Sequence, residues 1–122
     1  MKILMVEDDS NISSYVKLAM EDLNYTIDIA SDGITGMQMA LDNDYDTVIL
    51  DVMLPGMNGF DICRKIRNSV KSPIMMLTSM SSIEDRVRGF HCGADGYMAK
   101  PFRIEELNDR INALCLLKKS TY

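Results

Sequence analysis

Residues 47–56, TVILDVMLPG, are the most informative segment of this 122-residue chain. The first four are apolar or β-branched and lack helical spacing, which predicts a strand buried on both faces, as in a parallel sheet. Asp51 ends this strand, and the Pro55-Gly56 and Asn58-Gly59 pairs predict a loop after it. Open α/β sheets carry their chemistry at the carboxyl ends of their strands, so Asp51 is the first candidate functional residue.

Apolar segments alternate with helical patterns along the rest of the chain. A fourth helix is expected to begin near residue 82, because Ser81 and Glu84 have capping-box spacing. Its apolar residues Ile83, Val87 and Phe90 are expected to face inward. Five alternations of strand and helix indicate an α/β fold with helices on both faces of a parallel sheet. Strands are predicted at residues 2–6, 25–30, 46–51, 74–77 and 95–99.

The composition limits the class of protein. The length favours a single domain, assigned to residues 1–118, with a tail or the start of a linker at 119–122. A formal charge of −5 disfavours a nucleic-acid-binding face within this chain. The three cysteines lack zinc-ligand spacing and predict reduced thiols in a cytoplasmic protein. No apolar run approaches membrane-spanning length, so no membrane partner is expected.

Four of the predicted strands end in or beside a reactive side chain. Clustered carboxylates repel one another, and a divalent cation that prefers oxygen ligands, such as Mg²⁺, relieves that repulsion. Asp51 could then attack a phosphoryl group in line, while an amine neutralises developing charge and a hydroxyl donates to a phosphoryl oxygen. The residues in question are Glu7 and Asp8 after the first strand, Asp51, Thr78 and Lys100.

Each of these residues also has an ordinary structural interpretation. Asp8 or Asp9 would serve as a helix N-cap, and Asp51 would cap a loop. Thr78 would be a β-branched strand residue, and Lys100 a solvated charge. The functional interpretation depends on their coincidence at one edge of the sheet.

The motifs at these positions resemble those of a known family. Over nearly its whole length the chain is similar to the CheY-like receiver domain of bacterial two-component response regulators. The resemblance implies a flavodoxin-like (βα)5 three-layer sandwich with a parallel five-stranded sheet of order 2-1-3-4-5. The matching motifs are Glu7-Asp8, Asp51 with residues 52–59, Leu77-Thr78-Ser79, Gly93-Ala94-Asp95, Tyr97 and Lys100-Pro101-Phe102.

The resemblance also implies the roles of the acidic residues. Asp51 would be the phosphoacceptor for a sensor histidine kinase. Asp8 would bind Mg²⁺ directly with help from Glu7, and Asp51 and the backbone carbonyl of Met53 would complete the protein ligands. The chain would be a phosphoacceptor signalling domain that assists only its own phosphorylation and dephosphorylation, and not an enzyme.

The resemblance further implies a conformational switch. Thr78 and Lys100 would contact the phosphoryl group, and the Lys100-Pro101 bond would be cis. Thr78 would move toward the new dianion and Tyr97 would turn inward. The surface made by the fourth helix, fifth strand and fifth helix would change in response.

Residues 84–89 and 105–111 resemble the OmpR/PhoB-type subfamily. Membership implies a homodimer through the switch surface and control of transcription by a DNA-binding domain outside this chain. Gly96, His91 and Asn112 depart from the charged residues expected for that dimer. The alternative is a stand-alone or degenerate receiver that acts by protein contact. The candidate dimer residues are Arg86, Glu106, Asp95 and Arg110.

Two other classes of protein fit less well. A haloacid-dehalogenase-type phosphatase needs a second acid two residues after its nucleophile, and Met53 occupies that position. A flavin-binding module needs a phosphate-cradling loop after the first strand. The acidic residues 7–9 would repel a phosphate in the absence of a metal.

Overall fold

The computed structural model describes residues 1–79 and 82–120. Strands and helices alternate throughout, as the sequence predicts. The strands are β1 (Lys2–Val6), β2 (Thr26–Ala30), β3 (Thr47–Leu50), β4 (Ile74–Thr78) and β5 (Gly96–Ala99). The helices are α1 (Ser10–Asp22), α2 (Gly33–Asp42), α3 (Gly59–Ile66), α4 (Ile83–His91) and α5 (Ile104–Ser120).

The five strands form one parallel sheet in the order β2-β1-β3-β4-β5. All four residues of β3 are buried, which confirms the prediction of a central strand covered on both faces. β2 lies at one edge of the sheet. The flavodoxin-like fold class and strand order implied by the resemblance are confirmed.

Successive strand residues point to opposite faces, so each face has its own apolar core. Leu4 and Leu50 belong to the core beneath α2 and α3. Ile3 and Ile49 belong to the core beneath α1 and α5. The helices therefore hold the sheet from both sides, and the polar strand ends remain at its carboxyl edge.

The predicted orientation of α4 is wrong. Ile83, Val87 and Phe90 are 81%, 48% and 52% exposed, and Gly89 is the buried residue of this helix. A Cβ atom at Gly89 would lie 3.1 Å from the Tyr97 ring. The helix approaches the sheet through its glycine, so its apolar stripe lies on the other side.

Ser82 caps the start of α4 by accepting a hydrogen bond from the backbone N–H of Asp85 at 3.1 Å. The predicted capping residue, Ser81, lies outside the described residues. In residues 1–79 and 82–120, no helix is both long and apolar enough to cross a membrane.

Candidate functional site

The strand register brings the predicted acids together at the carboxyl edge of the sheet. Val6 and Leu50 are paired across β1 and β3, and Glu7 and Asp51 follow them directly. Carboxylate oxygens of Glu7, Asp8 and Asp51 all lie within 4.8 Å of one another. The acidic residues predicted to act as a group are therefore neighbours.

Lys100, which directly follows β5, is the fourth charged residue of this group. Its position follows from the pairing of Thr78 with Ala99, the last residues of β4 and β5. The Lys100 Nζ atom donates to Glu7 Oε1 at 2.5 Å and to Asp51 Oδ2 at 3.1 Å. Burial by itself would lower the pKa of Lys100, but the bonds to both carboxylates outweigh it and raise the pKa.

Glu7 is the most deeply buried carboxylate of the site, with 1% of its surface exposed. Burial raises the pKa of Glu7 from 4.5 to about 6, and the nearby charge of Asp51 adds to the rise. Hydrogen bonds from Lys100 and from the Asp9 backbone N–H, at 3.1 Å, act in the opposite direction. Ionising Glu7 at this site therefore costs more free energy than ionising it in water.

Backbone hydrogen bonds position Asp51, in addition to its contact with Lys100. Its Oδ1 atom accepts a hydrogen bond from the Met53 N–H at 3.3 Å, and its own N–H donates to the Val6 carbonyl at 3.0 Å. A Cβ atom at Gly59 would lie only 2.2 Å from the Asp51 carbonyl oxygen. The chain can fold back this closely on Asp51 because residue 59 has no side chain.

The structure separates the roles of Asp8 and Asp9. Asp9 is the N-cap of α1 and accepts hydrogen bonds from the N–H groups of Asn11 at 2.9 Å and Ile12 at 3.4 Å. Asp8 is exposed and belongs to the acidic cluster. The ordinary structural interpretation therefore holds for Asp9.

Thr78 and Tyr97 lie on neighbouring strands. Thr78 is fully buried at the end of β4, beside the strand that leads to Lys100. Tyr97 is 6% exposed, and its ring lies beneath Gly89 of α4. The ring points inward in this structure, and a movement of Tyr97 on phosphorylation stays a prediction.

The four candidate dimer residues fall into two groups. Asp95 accepts from Arg67 Nη1 at 2.8 Å and from the Ile74 N–H at 2.9 Å. Arg110 donates to the Tyr97 carbonyl at 3.2 Å, so both residues have partners within the chain. Arg86 and Glu106 are exposed and form no ion pair with another described residue.

Sequence reasoning missed Arg88 and Arg67. Arg88 and Asp8 line the same cleft, of about 490 Å³, beside the acidic cluster. Arg67, which follows α3, donates two hydrogen bonds to the loop before β5 and two to the loop before β4. Arg88 lies in the 84–89 segment, whose resemblance concerns the dimer surface and not this cleft, and Arg67 lies in none of the motifs. Only the packing of separate segments shows what each arginine contacts.

The acidic cluster can hold a hard divalent cation. Its donors are all oxygens, which Mg²⁺ prefers, and one of them is a buried carboxylate whose ionisation a cation would favour. The Lys100-Pro101 peptide bond is cis, as the resemblance implies. The arrangement has a carboxylate, a cation site and an ammonium group at one point, which are the parts needed for phosphoryl transfer to Asp51.

Comparison with known proteins identifies the family. Residues 3–112 match the family model described as the response regulator receiver domain. The response regulator ArlR of Staphylococcus saprophyticus is 48% identical over 113 residues, which are 93% of this chain and 51% of the relative. The chain thus spans about half the length of the curated relatives it matches.

Solved structures agree with that match. The Francisella response regulator 1452 receiver domain has a TM-score of 0.89 and 30% identity, covering 99% of this chain and 98% of that one. The receiver domain of the sensor histidine kinase PA1611 from Pseudomonas aeruginosa, solved with magnesium in its active-site cleft, has a TM-score of 0.86. It is 29% identical and covers 93% of this chain and 96% of that one. On its strand order, its site and these matches, the chain belongs to the receiver domain family of two-component response regulators.

Proposed function

We propose that Asp51 accepts a phosphoryl group from a sensor histidine kinase and that Mg²⁺ is required. The observation that carries this proposal is the meeting of three carboxylates within 4.8 Å, two of which also contact Lys100. A purely structural ion pair would need one acid for one base. The two additional acids suit a site that a cation and a phosphoryl group complete.

Asp8, Asp51 and the backbone carbonyl of Met53 would hold the Mg²⁺, with Glu7 assisting. When bound, the cation would neutralise charge on the phosphoryl oxygens. The magnesium ion in the cleft of the PA1611 receiver domain supports this assignment for a related fold. Burial of Glu7 next to Asp51 also supports it, because a cation would offset the cost of ionising both acids.

In the chemical step that we propose, this chain supplies the nucleophile and two groups that contact the phosphoryl oxygens. An Asp51 carboxylate oxygen attacks phosphorus and a new O–P bond forms, while the P–N bond to the kinase histidine breaks and its electron pair passes to the ring nitrogen. A phosphohistidine that is protonated on its other ring nitrogen then leaves as neutral imidazole. Lys100, whose raised pKa keeps it charged at neutral pH, stabilises the negative charge on the transferring group. The Thr78 hydroxyl then donates to an oxygen of the bound phosphoryl group.

The direct test is incubation with Mg²⁺ and acetyl phosphate, followed by mass spectrometry of the intact protein. We expect a gain of one phosphoryl group that alkali removes and that Asp51→Asn abolishes. Asp8→Asn should lose the response to Mg²⁺. Asp9→Asn is the matched control and should remain competent, because asparagine also caps helices and Asp9 serves α1. Phosphorylation of Asp51→Asn would contradict the assignment.

We further propose that phosphorylation alters the surface of α4, β5 and α5 and favours a homodimer. Arg86 and Glu106 are the better candidates for contacts between subunits, since Asp95 and Arg110 have partners within the chain. Arg86→Glu should prevent the phosphorylation-dependent dimer, and adding Glu106→Arg should restore it. Sedimentation of the phosphorylated variants measures this. No rescue by the charge swap would exclude the pair.

The output that we propose is control of transcription in the cytoplasm by a DNA-binding domain outside this chain. The length of the curated relatives, about twice that of the matched segment, supports this proposal. A receiver that acts by protein contact alone would instead show no effect of phosphorylation on DNA binding by the complete protein.

A further inference from the structure

Arg88 of α4 lies beside the acidic cluster but has no role in the site described above. Its guanidinium carbon lies 4.4 Å from the centroid of the Phe60 ring, at the start of α3. This is a cation–π distance, and the contact fixes the direction of a long side chain. Arg88 therefore faces the cleft that it lines together with Asp8, Met53 and Asn58.

The guanidinium of Arg88 forms no ion pair with an acid in residues 1–79 or 82–120. Among the described residues, none of the ion pairs includes it. Glu84 lies four residues earlier on the same helix, the spacing at which such pairs form. The side chain turns instead toward Phe60 and the cleft, which leaves its charge available to a ligand there.

The charges of the site indicate which charge the ligand of Arg88 should carry. Three carboxylates against the one ammonium of Lys100 leave a net charge of −2 when all are ionised, which one bound Mg²⁺ would only balance. A phosphodonor is itself an anion, and a donor whose leaving group is a carboxylate develops further negative charge as its bond breaks. A cation that lines the same cleft as Asp8 stabilises that additional charge, because the low-dielectric walls of a cleft focus its field.

We propose that Arg88 binds small acyl phosphates and that it distinguishes them from phosphoramidate-type donors. This inference rests on the proposed phosphorylation of Asp51. An acyl phosphate loses a carboxylate as the P–O bond to its acyl group breaks and the new O–P bond to Asp51 forms. That carboxylate leaves with the electron pair, and a guanidinium matches it with two parallel N–H donors. The leaving group of phosphoramidate is neutral ammonia, which offers a guanidinium neither a negative charge nor a pair of acceptor oxygens.

The test compares second-order rate constants of phosphorylation for the whole chain with Mg²⁺ and either acetyl phosphate or phosphoramidate. Arg88→Gln should lower the acetyl phosphate constant about three- to fivefold, as expected for one partly screened charge pair, and should leave the phosphoramidate constant within about a factor of two. Arg88→Lys should retain part of the rate. Arg103→Gln, which removes the same charge at the carboxyl edge of the sheet but outside this cleft, should change neither constant.

Three outcomes would overturn the inference. Equal losses with both donors would indicate a general effect on charge or folding. Rate constants unchanged from the wild type would show that Arg88 does not contact the donor. If the only change in Arg88→Gln were a faster loss of the phosphoryl group from Asp51, Arg88 would act on the phosphorylated protein and not on the donor. Failure of the wild type to react with either donor would instead refute the proposed function itself, so the two failures are distinguishable.

Discussion

The buried carboxylate of Glu7 makes a quantitative prediction about stability and pH. Its pKa is raised from 4.5 to about 6 by burial, so the folded protein holds this proton more tightly than the unfolded chain. A raised pKa contributes stability that is fully present below pH 4.5 and is lost as the pH rises through 6. Glu7→Gln keeps the shape of the side chain but cannot titrate.

The size of the effect follows from the shift. One unit of pKa is worth about 1.4 kcal/mol, so the full loss for Glu7 is about 2 kcal/mol. About 1 kcal/mol of it falls between about pH 5 and about pH 7.5. Glu7 is 1% exposed, so solvent screens this contribution little. Lys100 does not affect the slope there, because its raised pKa keeps it charged throughout.

Urea unfolding of the wild type and Glu7→Gln across this pH range measures the prediction. The difference between the two isolates Glu7, because every other titrating group is common to both. The wild type should lose about 1 kcal/mol relative to Glu7→Gln as the pH rises. Glu21→Gln, at an exposed position of α1, is the control and should parallel the wild type. Saturating Mg²⁺ should stabilise the wild type more at the higher pH, because ionised carboxylates bind the cation.

Parallel curves for the wild type and Glu7→Gln would refute this reasoning. They would show that Glu7 titrates alike in the folded and unfolded states. A wild type that gained stability relative to the variant would reverse the sign and would mean that Lys100 outweighs burial at Glu7.

Three further predictions concern single residues. Gly59→Ala should destabilise the fold by more than about 2 kcal/mol in urea, because its Cβ would lie 2.2 Å from the Asp51 carbonyl oxygen; an unchanged midpoint would contradict that close approach. Arg67→Ala should cost about 3 kcal/mol or more, since three hydrogen bonds to backbone carbonyls and the hydrogen-bonded ion pair with Asp95 are lost; a cost below about 1 kcal/mol would show that water replaces them. Lys100→Ala should still fold and gain a phosphoryl group by mass spectrometry but fail to dimerise; a normal dimer shift would contradict this.

Much of the site could be predicted because parallel strands place their carboxyl ends together. With residues 46–51 as a central strand of a parallel sheet, one edge must carry the four side chains that follow or end the strands, which are Glu7, Asp51, Thr78 and Lys100. Local patterns could not separate Asp8 from Asp9, since either can cap a helix. Which of the two caps the helix depends on the residue at which α1 begins after β1.

The sequence by itself determined the alternation of strands and helices, the buried central strand and the residue types at the carboxyl edge. These follow from local apolar periodicity and from the geometry shared by all parallel sheets. Only the tertiary structure decided which side of α4 meets the sheet, because Gly89 can approach Tyr97 more closely than the apolar stripe can. It also decided the partners of Arg67 and Arg88. Long cationic side chains reach several neighbours, and the contact each one makes depends on segments that are distant in the chain.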